Sequence, residues 1–288
     1  METITINQQL DKLFAEWQKE LQYNEAYKFT RDGLVYKYNP KWAVVSEKET
    51  FAGEEPDMII DQTWKSASRR VAFILKDKSD GTGDDVRQWL LLQNTQGEHN
   101  RKLAGGKVGR TGFLPNLARL LYGLTIDSCF DLQGDKEKII STWNTIPFAL
   151  IESKKMAGCP TISKQEIESV LDADGEHLMK EIEILNPNIL ACCDAGDTQF
   201  NFITKQFDEL VMQRFGKIDE TNKMIIEYKY PLKPHFDCCL YYYKDLKKVV
   251  IKSFHPTRLG KAEWTIKEKV LSPFRKLLEI SDIFENIQ

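Results

Sequence analysis

Four short apolar runs, each ending abruptly in a polar loop, constrain this chain more than any other feature. They are Val71-Ala72-Phe73-Ile74-Leu75, Ile146-Pro147-Phe148-Ala149-Leu150-Ile151, Ile189-Leu190-Ala191-Cys192-Cys193 and Val249-Val250-Ile251. Runs of this length with no alternation of polar residues predict strands buried on both faces. Between them, apolar residues recur at helical spacing: Leu114, Leu117, Leu120 and Leu121; then Ile167, Val170, Leu171, Leu178, Ile182 and Leu185; then Ile203, Phe207, Leu210, Val211 and Phe215. Strands alternating with helices require right-handed crossovers and a mainly parallel sheet. The expected fold is therefore α/β, a three-layer α/β/α sandwich around a mainly parallel central sheet.

The flanking sequence fills in the organisation. Leu10, Leu13, Phe14, Trp17 and Leu21 mark an amphipathic opening helix that Asn7 would cap, and Arg31-Asp32-Gly33 reads as a turn. Residues 1–70 are read as an N-terminal helical extension and irregular lead-in packed on the core, and residues 71–288 as the α/β domain. Ser163 with Glu166 three residues on forms a capping box for the second helix, which Pro187 ends. Met224 to Tyr228 and Cys239 to Tyr243 read as further strands, and Ser272-Pro273 as a break or restart in the last helix.

With 288 residues the chain can bury a full core without cross-links. Its six cysteines show no spacing suited to zinc or an iron–sulfur cluster, so buried free thiols in a reducing compartment are expected. The amino terminus lacks an apolar signal core and no stretch approaches a membrane span, which predicts a cytoplasmic protein with no membrane partner. A formal charge of -3 excludes a chain coated in basic residues, though not a local basic patch.

The strand ends carry the candidate chemistry. Val249-Val250-Ile251 leads through Lys252, Ser253 and Phe254 into His255-Pro256, and proline cannot continue a sheet, so His255 stands where the chain leaves it. The Val71 strand runs into Lys76-Asp77-Lys78, so an acid stands at the end of another strand. In open α/β sheets ligands bind beyond the carboxyl ends of strands. An acid and a histidine there form a plausible water-activating pair; the plainer reading of His255 is a strand cap. Arg101 to Gly112, RKLAGGKVGRTG, is either a phosphate-meeting loop, with Lys107 and Arg110, or an ordinary surface loop. Gly81-Thr82-Gly83 lacks the third glycine of a dinucleotide fingerprint, and neither GxSxG, HExxH nor a Walker loop occurs. No metal and no cofactor is expected.

Taken in order, these segments resemble the uracil-DNA glycosylase superfamily, whose α/β/α domain carries an acid-bearing loop after its first core strand and a His-Pro-Ser-type loop after its last. Phe73-Ile74-Leu75-Lys76-Asp77-Lys78 is similar to the first motif and Ser253-Phe254-His255-Pro256-Thr257-Arg258 to the second. Leu150-Ile151-Glu152-Ser153-Lys154-Lys155 resembles the middle segment in which many members hold a base-reading asparagine, with Glu152 at that position. Leu185 to Cys193 resembles the helix, proline and strand that precede a glycine-containing turn, here Asp194-Ala195-Gly196.

The resemblance implies a uracil-DNA glycosylase-like fold and a protein of DNA repair that flips a modified base and hydrolyses its N-glycosidic bond. Asp77 and His255 would be catalytic. Lys76, Glu152, Ser153, Asp194 and Thr257 would meet the substrate, and Lys107, Arg110, Lys154, Lys155 and Arg258 the phosphate backbone. The partner would be DNA or a nucleobase-containing ligand. A catalytically silent module that kept the pocket, and an unrelated α/β enzyme with a coincidental His-Pro-Thr loop, are the alternatives.

Overall fold

The computed structural model describes residues 4–20, 29–35, 56–76, 85–87, 113–126, 128–129, 131, 135–156, 162–193, 197–229, 238–256 and 266–284, with the backbone alone at 56–59. Its strands are β1 (Gly33–Val35), β2 (Val71–Leu75), β3 (Phe148–Glu152), β4 (Ile189–Cys192), β5 (Lys223–Tyr228), β6 (Cys238–Tyr243) and β7 (Lys248–Lys252). The helices are α1 (Ile6–Glu20), α2 (Pro56–Ser66), α3 (Phe113–Thr125), α4 (Lys136–Thr145), α5 (Lys164–Leu185), α6 (Thr198–Phe215) and α7 (Ser272–Ile280), the last preceded by a π-helical turn over Lys267–Leu271.

All seven strands form one sheet in the order β1-β3-β2-β4-β7-β6-β5. The four runs singled out by their apolarity, β3, β2, β4 and β7, are its parallel centre. Antiparallel strands close both sides: β1 against β3, and β6 then β5 beyond β7. The sheet is thus more mixed than expected. Only a few residues join β5 to β6 and β6 to β7, too few for a crossover, so these strands must fold back antiparallel.

Strand alternation sends neighbouring side chains to opposite faces, and each face has its own core. Val71, Phe73, Phe148, Leu150, Ile189, Val249 and Ile251 pack with α3, α4, the π-turn and α7. Ala72, Ile74, Ala149, Ile151, Leu190 and Val250 pack with α1, α2, α5 and α6. Each fully buried Leu, Ile or Phe contributes roughly 1.5–3 kcal/mol, so the sheet is stabilised from both sides. Gly123 lets α3 approach the π-turn, since an added Cβ would lie 2.4 Å from Leu271 Cδ1.

The described part of residues 1–70 is built into this architecture: α1 packs on α5 and β1 extends the sheet. Asp32-Gly33 is the entry to a strand, not a turn. Gly33 has φ 133°, and a Cβ there would meet Leu10 Cδ1 at 2.5 Å, so only glycine fits beneath α1. Asn7 lies inside α1 and bridges to Leu34 N–H at 3.2 Å, while the first helical N–H, that of Ile6, donates to Asp61 of α2. Local spacing had pointed to Asn7 as the cap; Thr5 is the cap instead, its hydroxyl accepting from Gln8 N–H at 3.3 Å while Gln8 Oε1 accepts from Thr5 N–H at 2.9 Å. Ser163 does cap α5, accepting from Glu166 N–H at 3.1 Å, but the Glu166 carboxylate turns to Lys154 and leaves the capping box half made. Helix α5 ends at Asn186 in the left-handed conformation ahead of Pro187. Among the described cysteines, Cys192, Cys193 and Cys238 are buried and Cys129 is exposed. No described helix is long and apolar enough to cross a membrane.

Candidate functional site

Parallel pairing brings four strand ends level. Leu75 is in register with Glu152, Ile74 with Cys192, and Cys192 with Lys252. The pairing continues one step past the strands: Ser153 N–H donates to Leu75 O at 2.9 Å, Lys154 N–H to Lys76 O at 2.9 Å, Cys193 N–H to Ile74 O at 2.8 Å and Ser253 N–H to Cys192 O at 2.9 Å. Leu75, Glu152, Cys193 and Ser253 are therefore level along the carboxyl edge, and Lys76 and Ser153 extend this edge row by one residue. From that row β2 leads to α3 on one face and β4 to α6 on the other, the divergence that opens a crevice in open α/β sheets.

After β7 the chain is held by α3. Ser253 is buried, Phe254 and His255 are half-buried, and Pro256 is buried. The Phe113 ring lies 5.8 Å from the His255 imidazole, tilted by 32°. One turn along, Asn116 Nδ2 donates to Pro256 O at 2.6 Å, and Arg119 Nη1 donates to Asn116 Oδ1 at 2.8 Å. From the π-turn, the buried ammonium of Lys269 sits 4.0 Å from the centre of the Phe254 ring, a cation–π contact.

After β3, alternation divides the predicted residues. Glu152 follows Phe148 and Leu150 on the face that carries α3; its side chain is buried, and its N–H donates to Asp32 Oδ2 at 2.5 Å. Ser153 is also buried, and its hydroxyl accepts from Gln199 Nε2 at 2.6 Å; the same amide donates to Leu75 O at 2.6 Å. Ser153 thus ties β2, β3 and α6 together and does not face a ligand. Asp197, at the start of α6, pairs with Lys252 of β7 at 2.7 Å, which fixes that helix to the same edge.

Two expected phosphate contacts are corrected. Lys154 is held by Glu166 at 2.6 Å. Lys155 is only 2 % exposed and points inward, 2.6 Å from Asp32 and 2.8 Å from Glu181, with the Phe14 and Trp17 rings within cation–π distance. The two rings and the Asp32 and Glu181 carboxyl groups that face the ammonium compensate its burial. Burial opposes the Lys155 charge, but Asp32 and Glu181 outweigh it and its pKa is raised. Burial and the adjacent Asp32 charge push the Glu181 carboxyl well above the ordinary range. The group is a buried knot of α1, β1, β3 and α5, not a binding surface.

Lys76 is half-buried in the edge row. Asp77, Lys107, Arg110, Asp194, Thr257 and Arg258 lie outside the described residues. His177 is buried and stacks on Trp17 with ring centres 4.9 Å apart, because α1 covers that side of α5. Sequence reasoning missed Asn116, Arg119, Gln199, Lys269, Asp32 and Glu181. The first two had a readable signal, polar residues three apart in the apolar helix LPNLARLLYGL; the others are ordinary in their local patterns. Among the described residues no cluster of three or more His, Cys, Asp or Glu is suited to a metal ion. Compared with family models, with curated proteins and with solved structures, the chain finds no match.

Proposed function

We propose that this chain is a divergent uracil-DNA glycosylase-like protein, which receives a flipped nucleobase at the carboxyl edge of β3, β2, β4 and β7 and hydrolyses its N-glycosidic bond. One observation carries the reading. The segment bearing His255 leaves the last parallel strand at the same level and edge at which Lys76 leads out of the first, with β4 between them. That arrangement supports a shared rim for His255 and for Lys76, the residue that leads towards Asp77.

Hydrolysis breaks the bond between sugar C1′ and the base nitrogen as a water oxygen bonds to C1′, and the electron pair leaves with the base. The transition state pairs an oxocarbenium-like sugar with an anionic base, so both charges need stabilisation. His255 donates a hydrogen bond to a base carbonyl; Asp77 orients the water, and its charge favours the sugar cation. Flipping costs a few kcal/mol, about what contacts to neighbouring phosphates supply. With Lys154 and Lys155 committed to carboxylates, Lys76, Lys107, Arg110 and Arg258 remain for that task.

Glu152 gives the reading its substrate preference. Its carboxylate is buried at the end of β3 on the α3 face, and the two lysines that would have drawn it to the surface are paired elsewhere. An ionised carboxylate only accepts hydrogen bonds, so it favours a base whose edge presents an amino donor over uracil, whose N3–H is flanked by two carbonyl acceptors. The same feature favours a second reading, a silent module that binds such a base without excising it.

The test is incubation with oligonucleotides carrying a panel of modified bases, followed by alkali cleavage at abasic sites, with His255→Ala and Asp77→Asn as controls. Base release lost in both variants supports a glycosylase. Lesion-selective binding without release supports the silent module. Neither release nor selective binding overturns both.

A further inference from the structure

We infer that Asn116 is a positioning residue for His255, held in its working orientation by Arg119. This rests on the proposal that His255 acts on a departing base. Asn116 is wholly buried in the first turn of an otherwise apolar helix, where a polar amide is costly unless both its ends are satisfied. Both are: the nitrogen donates to Pro256 O at 2.6 Å and the oxygen accepts from Arg119 at 2.8 Å.

The direction of these bonds matters. A guanidinium can only donate, so Arg119 fixes which end of the amide is oxygen and obliges the NH2 group to face Pro256. Proline has no N–H, so its carbonyl is the handle by which this stretch of main chain is gripped. Its ring meanwhile locks φ near −65°. Gripping the residue after His255 leaves the imidazole little freedom.

Phe113, Asn116 and Arg119 recur every three residues along one stripe of α3. Phe113 meets the imidazole, Asn116 the backbone that follows it, and Arg119 orients Asn116. Neither hydrogen bond belongs to the apolar packing of α3, whose leucines fill the core. The alternative is a loop staple with no effect on His255.

Two variants and two readouts separate these roles. Asn116→Asp keeps the shape and the acceptor for Arg119 but places an acceptor against Pro256 O. Arg119→Gln removes the guanidinium that sets the amide orientation. Histidine ring resonances are followed by NMR from pH 5 to 9, with His255 assigned through His255→Gln and His177 as an internal control. Both variants are expected to shift the His255 resonances and titration midpoint while leaving His177 and the far-ultraviolet circular dichroism unchanged. In the base-release assay kcat should fall roughly 100-fold with KM unchanged, the scale of a misplaced catalytic group. A His255 titration identical to that of the native protein in both variants overturns the inference. Absence of release by the native protein overturns the glycosylase reading, and with it the role of Asn116, whatever the NMR shows.

Discussion

Lys155 Nζ lies 2.6 Å from Asp32 Oδ2, 123 residues away in sequence, and the two side chains are 1 % and 0 % exposed. Through this contact the chain after β3 is joined to the entry of β1, where Asp32 also accepts the N–H of Glu152. A residue expected to meet phosphates is a structural tie directly behind the candidate site.

Replacing Lys155 should therefore cost stability first. Lys155→Met leaves the Asp32 charge buried without its cation, and breaking such a pair costs roughly 3–5 kcal/mol. Urea denaturation is the measurement. The double variant Lys155→Met, Asp32→Asn should recover part of the loss, because the uncompensated charge is gone. A single-variant loss within about 0.5 kcal/mol, the range of ordinary surface substitutions, would contradict the burial.

The raised Glu181 carboxyl has a signature in pH. The folded state holds its proton to higher pH than the unfolded chain, which releases it around the ordinary value of 4.5. Stability contributed by this group is thus highest below 4.5 and declines as pH rises from there towards the elevated folded value. Glu181→Gln, which retains a donor and an acceptor, should flatten that decline in unfolding free energies measured between pH 4 and 8. Lys155 acts at the other end: its contribution is full below 10.5 and is lost as pH rises through its raised folded value. An unchanged slope in Glu181→Gln would show that another group holds the proton.

Gln199 makes a second tie on the same face of the sheet. Gln199→Leu removes the donor to Ser153 Oγ and Leu75 O. Leu75 O still accepts from Ser153 N–H, so the loss should fall at roughly 1–3 kcal/mol, the cost of one buried group left unsatisfied. Amide exchange at Lys154, whose N–H donates to Lys76 O in the edge row, should speed up more than at Val71, at the other end of β2. Uniform exchange along β2 would argue against a role confined to the strand ends.

Glu152 predicts specificity. Base release by the native protein should favour amino-bearing bases over uracil, and Glu152→Asn, which restores a donor, should raise uracil release. The expected change is roughly 10- to 100-fold, the equivalent of one hydrogen bond to a charged group. Competition between labelled oligonucleotides measures it. Robust uracil release by the native protein that is unchanged in Glu152→Gln would mean that this residue does not read the base.

What the sequence determined by itself is local. Val71–Leu75, Ile146–Ile151, Ile189–Cys193 and Val249–Ile251 were legible as buried strands because an unbroken apolar run and β-branching act over a few residues, and the helices between them because apolar side chains recur every three or four. Their parallel pairing, and hence the shared edge that bears Lys76 and His255, follows from the crossovers those helices impose. The tertiary structure alone decided which charges are inside. Nothing within ten residues of Lys155 distinguishes it from Lys154, yet one is knotted to Asp32 and Glu181 and the other lies at the rim with Glu166. It also decided that Asn116 would reach Pro256, 140 residues on. Burial and hydrogen bonding are properties of neighbours in space, and a side chain acquires those neighbours only when distant segments have docked.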